Sequence, residues 1–355
     1  MKKYFLIVIT FIIIVSCGID EKVGKKSFEV EKVFVLNNYI SHNHMGVYNK
    51  KIYNFVIKKS DLFALQFYNL NGKVDRELEF SAGKGPSDLP NSTYGNLIDI
   101  ADDKIYFFCQ TTNEIKVFDI DGNLIGVYKV DFPERKKLFD IDPSFFVKNE
   151  SLYLHNYKGY YILKMDNRGK IGDYIFKNRS INTKKYDLKG GEIFVNKNNI
   201  FIGYRDQPYR IKKYDAKLSL INTYNKEVNF DDFEVKRKKK GNFYSEGHIT
   251  VNSIYISNSK LYSSIGGGWK FDHNKWQTNI TENYIDVWDI KNNNYKYRLW
   301  NKNLKNIAAG YDILSFKNDR IILVTNTDKK DITKDDSILK DLPYKRNYFV
   351  IIGKM

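Results

Sequence analysis

One residue pattern returns at a nearly fixed interval and limits the folds open to this chain. A large apolar residue followed by Asn or Asp and a polar turn occurs at Tyr68-Asn69, Phe118-Asp119, Met165-Asp166, Tyr214-Asp215 and Trp288-Asp289. The first four anchors lie about 47 to 50 residues apart, and the last gap is longer by about 25, which places an insertion there. One unit, the second, shows four short apolar runs. They are Leu97-Ile98-Asp99-Ile100, Lys104 to Phe108, Ile115 to Asp119 and Leu124 to Tyr128. Gly72, Gly122 and Gly169 follow the first three anchors, as a tight turn with positive φ requires, so the anchor marks the join between third and fourth strands.

Helix-period stripes are scarce and only 6 residues are proline, so the chain reads as all-β. The interval is that of propeller blades, and the units fall at about 45–83, 95–132, 143–180, 192–228, 247–303 and 310–355. The expected fold is a six-bladed β-propeller. Its last unit supplies only three clear strands, Ile313 to Phe316, Arg320 to Thr325 and Asn347 to Ile352, while Phe28 to Leu36 stands alone before the first. Donating that N-terminal strand to the last blade closes the ring without an exposed ladder. Two packed β-sandwich domains are the rival arrangement, which needs no fixed period.

The N-terminus reads as an address. Met1-Lys2-Lys3 is positively charged and Tyr4 to Val15 is almost wholly apolar, about twelve residues, too short for a helix across a bilayer of ~30 Å but suited to a secretory signal. Ile14-Val15-Ser16-Cys17 resembles the lipobox of bacterial lipoproteins. That resemblance implies cleavage before Cys17, acylation of its thiol and amino group, and a stable membrane anchor. The expected division is a signal peptide over 1–16, a lipidated tether over 17–27 and one propeller domain over 28–355. Gly18 after Cys17 carries no inner-membrane retention signal, and Asp20-Glu21 weakly resembles the acidic export tag of surface lipoproteins. The expected location is therefore the outer membrane, on its periplasmic or its surface face. Cys109 is the one cysteine left after Cys17 and lies in an apolar run, so no disulfide can form within the domain.

Taken together, the chain resembles the six-bladed β-propeller lipoproteins of Bacteroidota, related in form to TolB-like and NHL-repeat propellers. The likeness rests on the lipobox, the strand period over 28–355 and Phe80-Ser81-Ala82-Gly83-Lys84-Gly85-Pro86-Ser87-Asp88. Members carry a comparable Gly-x-Gly-Pro segment, commonly followed by Gly-Glu-Phe, where this chain has Ser87-Asp88-Leu89. The resemblance implies a fold and a location, and for most members no activity.

Local chemistry is sparse. Gly83-Lys84-Gly85-Pro86 lacks the remaining P-loop residues and a following helix, so it reads as a turn between blades. His42 and His44 share a strand face but have no evident third partner, and no metal site or cofactor is expected. Neither Gly-x-Ser-x-Gly nor His-Glu-x-x-His occurs, and no catalytic residue is assigned. Asp99 lies on an expected inner strand without nameable partners. Lys236-Arg237-Lys238-Lys239-Lys240 reads as a solvated loop. The formal net charge is +16, with lysines scattered over every strand, which is solvated surface rather than a nucleic-acid face.

The segment Gly266 to Trp276 is the best candidate for binding. Trp269, Phe271 and Trp276 sit there beside flexible glycines, and an aromatic loop can stack on a sugar or enter a partner's pocket. The expected function is recognition of a glycan or an envelope protein by a membrane-anchored module. The alternative is a metal-dependent lactonase or lyase with its site in the central channel, which needs three or four inward ligands from several blades.

Overall fold

The computed structural model describes residues 24–36, 45–92, 96–130, 143–148, 151–156, 162–166, 170–174, 193–196, 199–204, 209–215, 219–226, 234–237, 243–248, 251–266, 268–272, 275–278, 283–301, 312–328 and 346–355. All its regular elements are strands. Among the described residues the first two are β1 (Lys25–Ser27) and β2 (Glu29–Leu36). Four antiparallel meanders follow. The first is β3 (Met45–Tyr48), β4 (Lys51–Lys59), β5 (Leu62–Tyr68) and β6 (Val74–Ser81), and the second is β7 (Asn96–Ala101), β8 (Lys104–Cys109), β9 (Glu114–Asp119) and β10 (Leu124–Lys129). The third is β11 (Pro143–Lys148), β12 (Ser151–Asn156), β13 (Ile162–Met165) and β14 (Ile171–Tyr174), and the fourth is β15 (Ile193–Asn196), β16 (Asn199–Gly203), β17 (Tyr209–Tyr214) and β18 (Leu220–Lys226).

The next stretch interleaves two sheets. Its strands are β19 (Glu234–Arg237), β20 (Phe243–His248), β21 (Ser253–Ser257), β22 (Lys260–Ile265), β23 (Gly268–Asp272), β24 (Lys275–Thr278), β25 (Tyr284–Asp289) and β26 (Asn294–Trp300). A fifth blade forms in the order β21-β22-β25-β26, while β19-β20-β23-β24 pair into a sheet of their own. The chain ends with β27 (Asp312–Lys317), β28 (Arg320–Asp328) and β29 (Arg346–Lys354).

The arrangement is a β-propeller, and it corrects the expected six blades. Five are each complete within one stretch of chain, whereas among the described residues the last repeat supplies β27, β28 and β29 and no fourth strand of its own. The two chain ends instead share a sheet, ordered β2-β29-β28-β27, with Val33 opposite Ile351 in antiparallel register. Lys25–Ser27, expected in the tether, form β1 and pair in parallel with Arg298–Trp300 of β26. The N-terminal ribbon thus grips the fifth blade before it reaches β29.

Packing explains why the middle strands read as nearly unbroken apolar runs. In β8, Ile105, Phe107 and Cys109 turn to the first blade and Tyr106 and Phe108 to the third, so alternate residues bury on both faces. Phe107 meets Phe55 at 5.2 Å and Phe80 at 5.0 Å, and Phe108 meets Phe145 at 6.0 Å. Each fully buried phenylalanine contributes roughly 1.5–3 kcal/mol by area alone. Similar clusters lie between the third and fourth blades, the fourth and fifth, the fifth and the end-sharing sheet, and that sheet and the first blade.

The repeated Asx anchors have a definite task. Asn69 Oδ1 accepts the N–H groups of Asn71 (2.9 Å) and Lys73 (3.2 Å), and Asp119 Oδ1 those of Asp121 (2.9 Å) and Asn123 (2.8 Å). Asp166, Asp215 and Asp289 do the same for Lys170, Ser219 and Lys291. A one-residue bulge accompanies the anchor in each of these five blades. Gly72 and Gly122, at φ 76° and 91°, complete two of the turns as the sequence predicts.

Candidate functional site

The first strands of the blades, β3, β7, β11, β15 and β21, stand around a central axis together with β27, so the connections sort onto two faces. Inner strands and the strands next to them meet through two-residue hairpins on one face. Asn49-Lys50, Asp102-Asp103, Asn258-Ser259 and Asn318-Asp319 all have positive φ, the geometry that matches the twist of the flanking strands. The Asx-anchored turns lie on this face too. Links from one blade to the next emerge on the other face, as do both segments that build the added sheet β19-β20-β23-β24.

Between the inner strands runs a cavity of about 1200 Å³. Its wall includes Ile98 and Asp99 of β7, Phe145 to Lys148 of β11, Phe194 of β15, Tyr255 of β21 and Asp312 to Ser315 of β27. Lys50, Lys148, Lys317, Arg320 and Lys354 line its mouth on the hairpin face.

Adjacent inner strands are not paired as sheet neighbours, so their facing N–H groups need other acceptors. Asp99 supplies one. Its carboxylate accepts the N–H of Val147 on the next blade (2.5 Å), its neighbour Ile100 N–H (2.8 Å) and the hydroxyl of Tyr53 on the previous blade (3.1 Å). Burial raises this carboxyl to about 6, although those three donors and the Lys148 charge pull it down. Burial, and then the Asp99 charge, push the Tyr53 hydroxyl well above its ordinary value, so it remains a donor. Ser253 Oγ plays the same part between the fifth blade and β27, accepting Ile313 N–H at 3.0 Å, and Asp312 accepts Asn252 Nδ2 at 3.1 Å.

The glycine-rich connection after β6 holds a cation rather than a phosphate. Lys116 of β9 is only 4% exposed, and its ammonium donates to the carbonyls of Gly85 (3.1 Å) and Asp88. Asp88 Oδ2 in turn accepts Gly85 N–H at 2.8 Å. A Cβ on Gly83 would stand 2.4 Å from that carboxylate, so a side chain there would have to displace the group on which the loop closes.

Other residues singled out in the sequence are dispersed. Cys17, His42 and His44 lie outside the described residues. Cys109 is fully buried and burial pushes its thiol up to about 12, so it is no nucleophile at neutral pH. The expected loop at Gly266 to Trp276 is instead largely a hairpin: Trp269 lies opposite Thr278 and Phe271 opposite Trp276 across β23 and β24. Their side chains are outside what is described. Lys236 and Arg237 belong to β19 rather than to a loop, and Lys238 to Lys240 are not described. Among the described residues no three His, Cys, Asp or Glu side chains converge as a metal site, and no helix is long and apolar enough to cross a membrane. Sequence reading missed the basic mouth, for its cations come from a turn and from strand ends in three distant units. The Asn49-Lys50 and Asn318-Asp319 pairs, which mark two of the hairpins these cations flank, were the available signal.

No protein-family model matches the chain, and no curated protein matches it by sequence. Its fold is nevertheless shared with a solved structure. A member of the DUF4221 family from Bacteroides vulgatus aligns over 92% of this chain and 97% of its own, with a TM-score of 0.54 and 12% identity. A candidate exported protein from Bacteroides fragilis aligns over 93% and 99%, with a TM-score of 0.46 and 10% identity. Sqt1 of Saccharomyces cerevisiae aligns over 92% and 72%, with a TM-score of 0.43 and 9% identity. The first of these supports the fold and nothing finer.

Proposed function

We propose that this protein is an exported recognition module, anchored by lipid on Cys17 to the outer membrane and presenting a rigid ring to a glycan or an envelope protein. In this reading the sheet shared by the chain ends acts as a sixth blade, and kinship with TolB-like and NHL-repeat propellers belongs to the same proposal. The observation that carries it is the difference between the two faces. One is fixed by two-residue and Asx-anchored turns, whereas the other receives the links between blades and a whole additional sheet. A sheet added to one face of a closed scaffold enlarges contact surface without altering the core. Trp269, Phe271 and Trp276 fall within its strands, in a register that brings Phe271 and Trp276 opposite each other.

Glycan-array and envelope-extract binding by the full chain, beside Trp269→Ala/Trp276→Ala, tests this reading. A ligand retained by the parent and weakened about tenfold or more in the variant supports it, as aromatic anchors commonly contribute that much. Undiminished binding removes the added sheet from the contact.

A further inference from the structure

We propose that the central cavity binds a carboxylate-bearing ring entering from the hairpin face, a second site on the side opposite Trp269 and Trp276. This goes beyond the recognition reading and does not depend on the added sheet.

Charge at the mouth is the first observation. Over much of the outer surface cations meet carboxylates, as in Lys51 with Asp75, Lys58 with Glu77, Arg76 with Asp121 and Lys296 with Asp289. At the mouth, Arg320 is drawn to Glu31 at 3.0 Å, but Lys50, Lys148, Lys317 and Lys354 form no ion pair among the described residues. The two carboxylates in the wall are occupied by their own donors: Asp99 by Val147, Ile100 and Tyr53, and Asp312 by Asn252. Four ammonium groups therefore line one opening without a direct ion pair among the described residues, Lys148 acting only at a distance on the buried Asp99, and such a concentration of like charge focuses an anion into the opening.

Shape and wall chemistry supply the second. Phe146, Phe194 and Tyr255 lie on three successive inner strands and are only partly buried, with Phe194 and Tyr255 edge to face at 5.2 Å. Partly exposed aromatic faces in a concave wall accept a flat ring. A cavity of about 1200 Å³ is wide enough for a short oligomer of such rings. Lysine, a point charge on a flexible stem, suits a carboxylate held at varying depth. Both an acidic sugar at a glycan end and a free aromatic acid carry this chemistry.

The test is isothermal titration of the full chain in detergent with a galacturonate oligomer, a neutral galactose oligomer of equal length, and benzoate. The proposal expects a carboxylated probe to bind at least about tenfold more tightly than the neutral one. It expects Lys148→Gln/Lys317→Gln to weaken binding about tenfold, Phe194→Leu to weaken it with an unchanged circular dichroism spectrum, and Lys129→Gln on the outer strand β10 to leave it unchanged. Binding of the galacturonate oligomer alone assigns a glycan source, and of benzoate alone an aromatic acid. Equal affinity for the neutral oligomer, or no heat from any probe up to about 10 mM, overturns the proposal. Trp269→Ala/Trp276→Ala leaves this titration unaltered, so failure here and failure of the recognition reading are distinguishable.

Discussion

Lys116 shows how one side chain ties a loop to the ring. Its ammonium is the donor for two carbonyls of the connection between the first and second blades, and removal takes the charged donor from both half-buried acceptors. Lys116→Ala is expected to cost about 2–3 kcal/mol, read as a lowered urea midpoint, whereas Lys104→Ala on the exposed end of β8 stays within about 0.5 kcal/mol. Asp99 gives a pH signature. Its folded value of about 6 stands above an unfolded value near ~3.9, so folding favours the protonated form. That stabilisation is fully present below about pH 4 and is lost as pH rises through about 6. Tyr53 and Lys148 are the titratable groups that face it, from the first and third blades. Urea titrations of the parent and Asp99→Asn should therefore differ by about 1–2 kcal/mol more at about pH 4 than at about pH 7. A difference flat across that range contradicts the burial of this carboxyl.

Among the elements, the N-terminal ribbon and the added sheet separate what the sequence could reveal from what it could not. The Asx anchors were legible because each must cap the same hairpin, and that requirement leaves the same residue at the same interval: Asn69, Asp119, Asp166, Asp215 and Asp289. Pairing of β2 with β29 was legible as well, since an unpaired strand at one end met a shortage at the other. The grip of β1 on β26 was not, because Lys25-Lys26-Ser27 carries no apolar signal and is held by backbone bonds such as Arg298 N–H to Gly24 carbonyl at 2.9 Å. Nor was the added sheet, whose strands come from two insertions on either side of β21 and β22 and pair only in space. Truncation of residues 1–36 is expected to lower the melting temperature by more than about 10 °C or to abolish the cooperative transition, because it opens β26 and β29 and unseats Phe28 and Leu36. A melt unchanged by the truncation would make the ribbon an ornament.

At the scale of the whole molecule, the cavity was hidden from the sequence for a related reason. A net charge of +16 with scattered lysines looks like uniform surface, and only closure of the ring brings Lys50, Lys148, Lys317 and Lys354 to one mouth. Both faces derive their character from that closure. It sets the inner strands side by side, turns their hairpins to one side, and leaves the other for connections and the added sheet. Joining of the two chain ends is thus the claim on which the rest depends. The most direct measurement is oxidative cross-linking of Glu29→Cys/Lys354→Cys in a Cys17→Ser chain, two exposed positions that lie opposite each other in the β2 and β29 register. The structure predicts an intramolecular disulfide that forms in the native protein, is reversed by reductant, and fails to form in urea. No cross-link in the native state, or equal cross-linking in urea, would contradict a ring closed by its own two ends.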